Sequence, residues 1–242
     1  MSIVITFFKM GMIATTLLLT AGCATTQQHQ SNINDPLEGY NRVIYSFNDT
    51  VDSAILKPVS QGYDFIMPSP ASKGVSNFFS NLDDIKVVIN DVLQLKFMQA
   101  VDDTSRLAIN TTVGILGLMD VASDFGYRKN NEDFGQTLGN WGLSTGPYIV
   151  LPLLGPNDLR DTVGLVGDYY TNPMTYVNDS KTRSALFITN AVDIRAGLLS
   201  AEKIVDEAAF DEYTFVRDAY LQRRQSLVHD GNPPEEFDVF EE

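Results

Sequence analysis

Apolar residues recur along most of this chain at spacings of three and four, the rhythm of helices that bury one face. Tyr40, Ile44, Phe47, Val51 and Ile55 form the first such series. Ahead of it, Asp35-Pro36-Leu37-Glu38 has the form of a helix start, with a capping aspartate, proline at the first helical position and glutamate three after the cap. Lys57-Pro58 predicts an end or a kink. After the break at Met67-Pro68-Ser69-Pro70, a helix capped by Ser69 carries Val75, Phe78, Phe79 and Leu82. Asp83-Asp84 then opens a further run with Ile85, Val88, Ile89, Val92 and Leu93. Residues 97–112 give another helix, ending at Gly114. Ile115 to Val121 is a short apolar segment of no definite type, and 124–133 is loop-like. Farther on, 157–170 places Leu159, Val163, Val166 and Tyr170 on one face and stops at Thr171-Asn172-Pro173. The segment 180–209 is the clearest helix, with Ile194, Leu198, Ala201, Val205 and Ala208 in phase. A last helix over 212–228 turns Tyr213, Val216, Tyr220 and Leu227 inward and Arg217, Arg223 and Arg224 outward. No strand run is regular enough to build a sheet, so the fold class is mostly α, in one multi-helix domain over 35–230.

The rhythm fails between Leu138 and Asp161. Glycines at 139, 142, 146 and 155 and prolines at 147, 152 and 156 forbid a long helix. Between them Tyr148 to Leu154 is apolar apart from Pro152, a residue that a central strand does not carry. The run is too short to span a bilayer, which takes about 20 helical residues. An apolar hairpin here belongs in the core, along a cavity wall or at a membrane interface.

The two ends differ from the middle. Met10 to Leu19 is a short apolar run before Thr20-Ala21-Gly22-Cys23, and Lys9 is the only charge ahead of it. This is the pattern of a cleaved secretory leader over 1–22, and it resembles a bacterial lipoprotein signal, in which Cys23 is lipidated and becomes the mature N-terminus. In such lipoproteins a residue other than aspartate after the cysteine, here Ala24, implies export to the outer membrane. Residues 23–34 read as a polar tether, and 231–242, with five acidic residues, as a disordered acidic tail. The chain has 17 basic and 31 acidic residues, a formal charge of −14 that becomes −15 once Lys9 leaves with the leader. That balance argues against nucleic acid and against electrostatic adhesion to anionic lipid, which leaves acyl chains and apolar surface to hold the protein to a membrane.

Candidate chemistry is sparse. A single cysteine allows no internal disulfide, and two histidines, His29 and His229, do not make a zinc site. No phosphate-binding or dinucleotide-binding glycine pattern occurs, so neither a metal nor a cofactor is expected. Gly142-Leu143-Ser144-Thr145-Gly146 matches the nucleophile elbow of esterases, with His229 in the right order. Pro147 and Pro152 forbid the helix that must follow such a serine, so a lipid hydrolase using Ser144 is kept only as a rival and the chain is read as a non-enzyme. Arg160, Asp161 and Asp168 form either an ion pair bracing the hairpin or a contact for a zwitterionic headgroup, beside a helix start at Asn157-Asp158. The first helix packs on a core, or lies with an aromatic edge at a leaflet.

Asp35-Pro36-Leu37-Glu38-Gly39-Tyr40-Asn41-Arg42, Tyr45-Ser46-Phe47-Asn48, Gly135-Gln136-Thr137-Leu138-Gly139, Gly146-Pro147-Tyr148, Leu151-Pro152 and Gly155-Pro156 before Leu159-Arg160-Asp161 together resemble the MlaA/VacJ outer-membrane lipoproteins. The resemblance runs from about residue 35 to 228. It implies a ring-like helical protein in the inner leaflet of the outer membrane, on its periplasmic face, with a central amphipathic channel. It also implies removal of mislocalised phospholipid from the outer leaflet, hand-off to a soluble periplasmic carrier, MlaC, and association with trimeric porins. By position, the channel would be bordered by the hairpin residues Trp141, Gly146, Pro147, Tyr148, Leu151, Pro152, Leu153 and Gly155, braced by Arg160 and Asp161. Tyr40, Tyr45 and Phe47 on the first helix would face the leaflet. A lipoprotein that only braces porins is the principal rival.

Overall fold

The computed structural model describes residues 35–233, apart from the side chains at 203, 204 and 206–208. The leader, Cys23, the rest of the tether and most of the acidic tail lie outside the described residues. Helices dominate. α1 (Glu38–Val51) runs through a π-helical turn (Asp52–Leu56) into α2 (Lys57–Ile66). There follow α3 (Ser69–Leu93), α4 (Phe97–Thr112), a short α5 (Val121–Asp124) and α6 (Phe134–Asn140). Two strands come next, β1 (Tyr148–Leu151) and β2 (Gly155–Asp158), then α7 (Leu159–Thr171), a 3-10 turn (Pro173–Tyr176), α8 (Ser180–Ala208) and α9 (Glu212–Val228).

Several boundaries depart from the sequence expectation for identifiable reasons. Asp35 does not cap α1, whose cap position is Leu37; its carboxylate is buried and accepts from Asn41 Nδ2 at 2.8 Å and from the Tyr213 hydroxyl. Pro58 neither ends nor interrupts the first helix. The Lys57 N–H reaches back five residues to the Asp52 carbonyl, so a π turn carries the helical run past the proline. Ser69 begins α3 rather than capping it, because Pro68 holds the cap position. The two runs on either side of Asp83-Asp84 are one helix of 25 residues. Asp84 does not open a turn there because it is buried between Lys129 and Arg106, 3.4 Å from the Arg106 Nε. Residues 148–158 do form a sheet, a two-stranded antiparallel hairpin pairing Tyr148 with Asp158 and Leu151 with Gly155. Pro152 is no obstacle because it sits in the turn between the strands.

Burial is inverted relative to a water-soluble helical domain. Among the described residues nine hydrophobic side chains are buried against twenty-one polar or charged ones, so polar groups carry the interior. α3 buries Asn81, Asp84, Asn90 and Asp91, and α4 buries Asp103, Arg106 and Asn110. The predicted inward stripe of α7 points outward: Leu159, Val163, Val166 and Tyr170 are all exposed. On α9 the inversion is clearest. Arg217 and Arg224, expected outside, are buried, Arg217 3.5 Å from Asp35 and Arg224 2.5 Å from both Asp133 and Asp161. Arg223 is exposed as expected. The small apolar core gathers Tyr148, Val150 and Tyr213, with Ile44, Tyr45, Tyr220 and Leu221 packed against it. Among the described residues no helix is long and apolar enough to cross a membrane.

Candidate functional site

The hairpin is held by two asparagines one heptad apart on α1. Asn41 Nδ2 donates to the Tyr148 carbonyl at 3.0 Å, and its Oδ1 accepts the Val150 N–H at 2.8 Å. Asn48 repeats the pattern, donating to the Leu151 carbonyl at 2.9 Å and accepting the Leu153 N–H at 2.7 Å. Each side-chain amide offers the donor and acceptor that a neighbouring strand would supply. The outer edge of β1 is thereby satisfied without a third strand. Both asparagines lie in the motifs that carry the family resemblance, but neither was expected to hold the hairpin; their spacing of seven, off the apolar face of α1, is the signal that could have found them.

The far side of the hairpin is fixed by charge. Asp158 caps α7, accepting the Asp161 N–H at 2.7 Å. Arg160 is buried and donates to Asp161 at 3.0 Å, and its remaining nitrogens lie 3.4 Å from Asp158 and from Thr145. The Tyr220 hydroxyl donates to Asp161 at 2.8 Å, tying the cluster to α9. Arg160 and Asp161 therefore pair beside the hairpin, whereas Asp168 lies apart from them and accepts the Phe134 N–H at 2.9 Å. Burial raises the Asp158 carboxyl to about 6, and the Asp161 carboxylate adds to the rise against the pull of the Asp161 N–H and Arg160. Asp133 goes the other way: burial opposes ionisation, but hydrogen bonding to Arg224 holds its carboxyl at about 2.

Between α1, the π turn, the hairpin tip, α8 and α9 lies a cavity of about 580 Å³, within the size range of sites for small organic ligands. Its apolar wall includes Leu56, Leu153, Leu154, Leu198, Val205 and Val216. Leu153 sits at the tip in the left-handed region (φ 63°) with its side chain exposed, a conformation that disfavours a branched residue and is held by the Asn48 acceptor.

The hairpin residues singled out in the sequence thus separate. Leu153 and Gly155 line the cavity. Tyr148 does not; it is fully buried in the apolar core against Tyr213 and Tyr220. Leu151 is half-buried, and Pro152 is exposed at the turn. Gly146 (φ 72°) and Pro147 precede β1, the Pro147 carbonyl accepting the Leu159 N–H. Trp141 is elsewhere, at the end of α6, where its indole N–H donates to the Leu93 carbonyl at 3.0 Å. On α1, Tyr40 and Phe47 are exposed, whereas Tyr45 turns into the core, edge-on to Tyr213, and lines the cavity. Ser144 lies between α6 and β1, so a helix precedes it and a strand follows, the reverse of a nucleophile elbow.

The MlaA lipoprotein family model matches residues 33–227. The chain belongs to the MlaA lipoprotein family. The intermembrane phospholipid transport system lipoprotein MlaA of Escherichia coli (strain K12) is 34% identical over 90% of this chain and 87% of its own length. That of Haemophilus influenzae is 33% identical over 89% and 90%. An uncharacterized protein of Rickettsia bellii is 33% identical over 82% of this chain and 80% of its own. A chain from a solved structure, described as the structural basis for maintenance of bacterial outer membrane lipid asymmetry, superposes with a TM-score of 0.71 at 33% identity. It covers 80% of this chain and 98% of that one. In this family member, both asparagines that hold the hairpin and the walls of the cavity fall inside the matched residues.

Proposed function

We propose that this protein is a lipid-anchored phospholipid-transport protein of the bacterial outer membrane. It sits at the periplasmic face, held by acyl chains on Cys23, removes mislocalised phospholipid from the outer leaflet and so maintains lipid asymmetry. The observation that carries this reading is the cavity between α1, the hairpin tip, α8 and α9, apolar over most of its wall, in a molecule whose polar residues are inside and whose apolar residues face out. An apolar exterior of this extent is costly in water and favourable in hydrocarbon.

The energetics favour hand-off to an apolar acceptor. A two-chain phospholipid carries on the order of 30 methylenes at about 0.8 kcal/mol each, so release into water costs roughly 20 kcal/mol or more. A conduit with no energy source passes its lipid directly to another apolar pocket, and a soluble periplasmic carrier of the MlaC kind is the partner proposed here. A trimeric porin is proposed as the partner for the outward apolar stripe of α7. The porin-bracing rival needs no lipid passage.

Phospholipid transfer from the lipidated protein in a bilayer to a soluble lipid-binding acceptor tests the reading. Wild-type protein should transfer lipid, and Leu198→Arg or Leu153→Arg, each placing a cation on the cavity wall, should slow transfer at least tenfold while the fold is retained. Equal rates with and without the protein would refute transport and leave the bracing role.

A further inference from the structure

Among the described residues, the wall of the cavity carries charge that is not balanced. Four carboxylates line it, on Asp49, Asp52, Glu202 and Glu212, against one guanidinium, on Arg195. Arg195 is paired with two of them. Its Nε and a terminal nitrogen grip Asp52 at 2.8 and 2.7 Å, and that terminal nitrogen also meets Glu202 at 2.9 Å. Lys57 pairs with the other oxygen of Glu202 at 3.0 Å. These four groups cancel formally.

Asp49 and Glu212 are different. No ion pair engages either of them among the described residues. Glu212 lies beside the cavity-lining hydroxyl of Tyr45, whose pKa is raised first by burial and then by that carboxylate. Asp49 is exposed one residue from Asn48, the residue that holds the hairpin tip. Two exposed carboxylates without an ion-pair partner among the described residues thus border a pocket whose wall is otherwise mostly apolar, an arrangement that concentrates a negative potential.

We infer that the cavity discriminates by headgroup: it favours phospholipids bearing an ammonium group, such as phosphatidylethanolamine, over those whose headgroup is net anionic, such as phosphatidylglycerol. This rests on the reading of the cavity as a phospholipid site. The ammonium is attracted to Asp49 and Glu212, while the acyl chains lie against Leu153, Leu154, Leu198 and Val205. A lipid with no positive group meets the same carboxylates without that attraction. Two exposed ion pairs correspond to a preference of roughly three- to tenfold.

The experiment uses the full lipidated chain incubated with vesicles of equimolar phosphatidylethanolamine and phosphatidylglycerol with identical acyl chains. Lipid recovered with the repurified protein is quantified by mass spectrometry. The expected result is at least a threefold enrichment of the ethanolamine lipid over the input ratio, reduced by 0.5 M salt and abolished in Asp49→Asn/Glu212→Gln. Asp49→Lys, at an exposed position, should shift the ratio towards the glycerol lipid even if the double variant folds poorly. Recovery of both lipids at the input ratio, or a ratio untouched by Asp49→Lys, overturns the headgroup inference and leaves the transport reading standing. Recovery of no phospholipid of either kind overturns both.

Discussion

Asn48→Ala should release the hairpin tip while leaving the rest of the fold in place. Asn48 contributes two hydrogen bonds, to the Leu151 carbonyl at 2.9 Å and from the Leu153 N–H at 2.7 Å. Each is worth about 1 kcal/mol net, and the exposed Leu153 amide regains part of that from water. Leu153 is also held in the left-handed region, which costs roughly 1–2 kcal/mol and relaxes once the tip is free. The local opening free energy of the tip therefore falls by about 1–2 kcal/mol, a factor of roughly 5–30 in the open population. Amide hydrogen exchange reads this directly, because the amide that loses its acceptor is Leu153 itself. Exchange at Leu153 should accelerate by that factor, while Tyr148 to Val150, held by Asn41, stays protected. Thr50→Ala is the control, since its hydroxyl bonds only to the Ser46 carbonyl within α1. An unchanged rate at Leu153 in Asn48→Ala would refute the idea that this asparagine stands in for a strand.

Gly164→Ala should be among the most damaging small substitutions, because a Cβ there would meet the backbone of Gly135 at 2.6 and 2.8 Å and force α6 and α7 apart. A loss of about 1–3 kcal/mol or more is expected in denaturant unfolding. Arg224→Met leaves half-buried Asp133 and buried Asp161 without their shared cation, at a cost of roughly 3–5 kcal/mol in the same assay. The wild-type stability tied to the depressed Asp133 carboxyl is full above about pH 4 and is lost as pH falls towards 2; Arg224→Met should flatten that acid limb. Asp168 has the opposite sign. Burial lifts its carboxyl to about 6, so the folded state holds the proton more tightly than the unfolded one. Its contribution is full below about pH 4 and falls by roughly 3 kcal/mol as pH rises to about 6. Asp168→Asn should gain thermal stability relative to wild type across that window, and equal melting temperatures at pH 4.5 and 7 in both proteins would contradict it.

Local sequence determined most helix positions here, because the periodicity and the Pro/Gly breaks are local signals. Phe97–Thr112, Ser180–Ala208 and Glu212–Val228 lie within a residue or two of where the pattern puts them, and the irregular stretch after Leu138 is where the chain turns back on itself. The family was also legible, since short motifs at fixed order survive without any knowledge of packing. Which way each helix faces was not legible. A stripe of Leu159, Val163, Val166 and Tyr170 has the same period whether it meets a protein core or an apolar surrounding, and only the tertiary structure turns it outward. The same ambiguity misplaced Arg217 and Arg224, whose carboxylate partners at Asp35, Asp133 and Asp161 are far away in sequence. The hairpin depended on tertiary structure most of all. Tyr148 to Leu151 becomes a strand because Asn41 and Asn48, more than a hundred residues earlier, satisfy its open edge. Hydrogen-bonding capacity is written in the residue types, but the pairing that uses it exists only once the chain has folded.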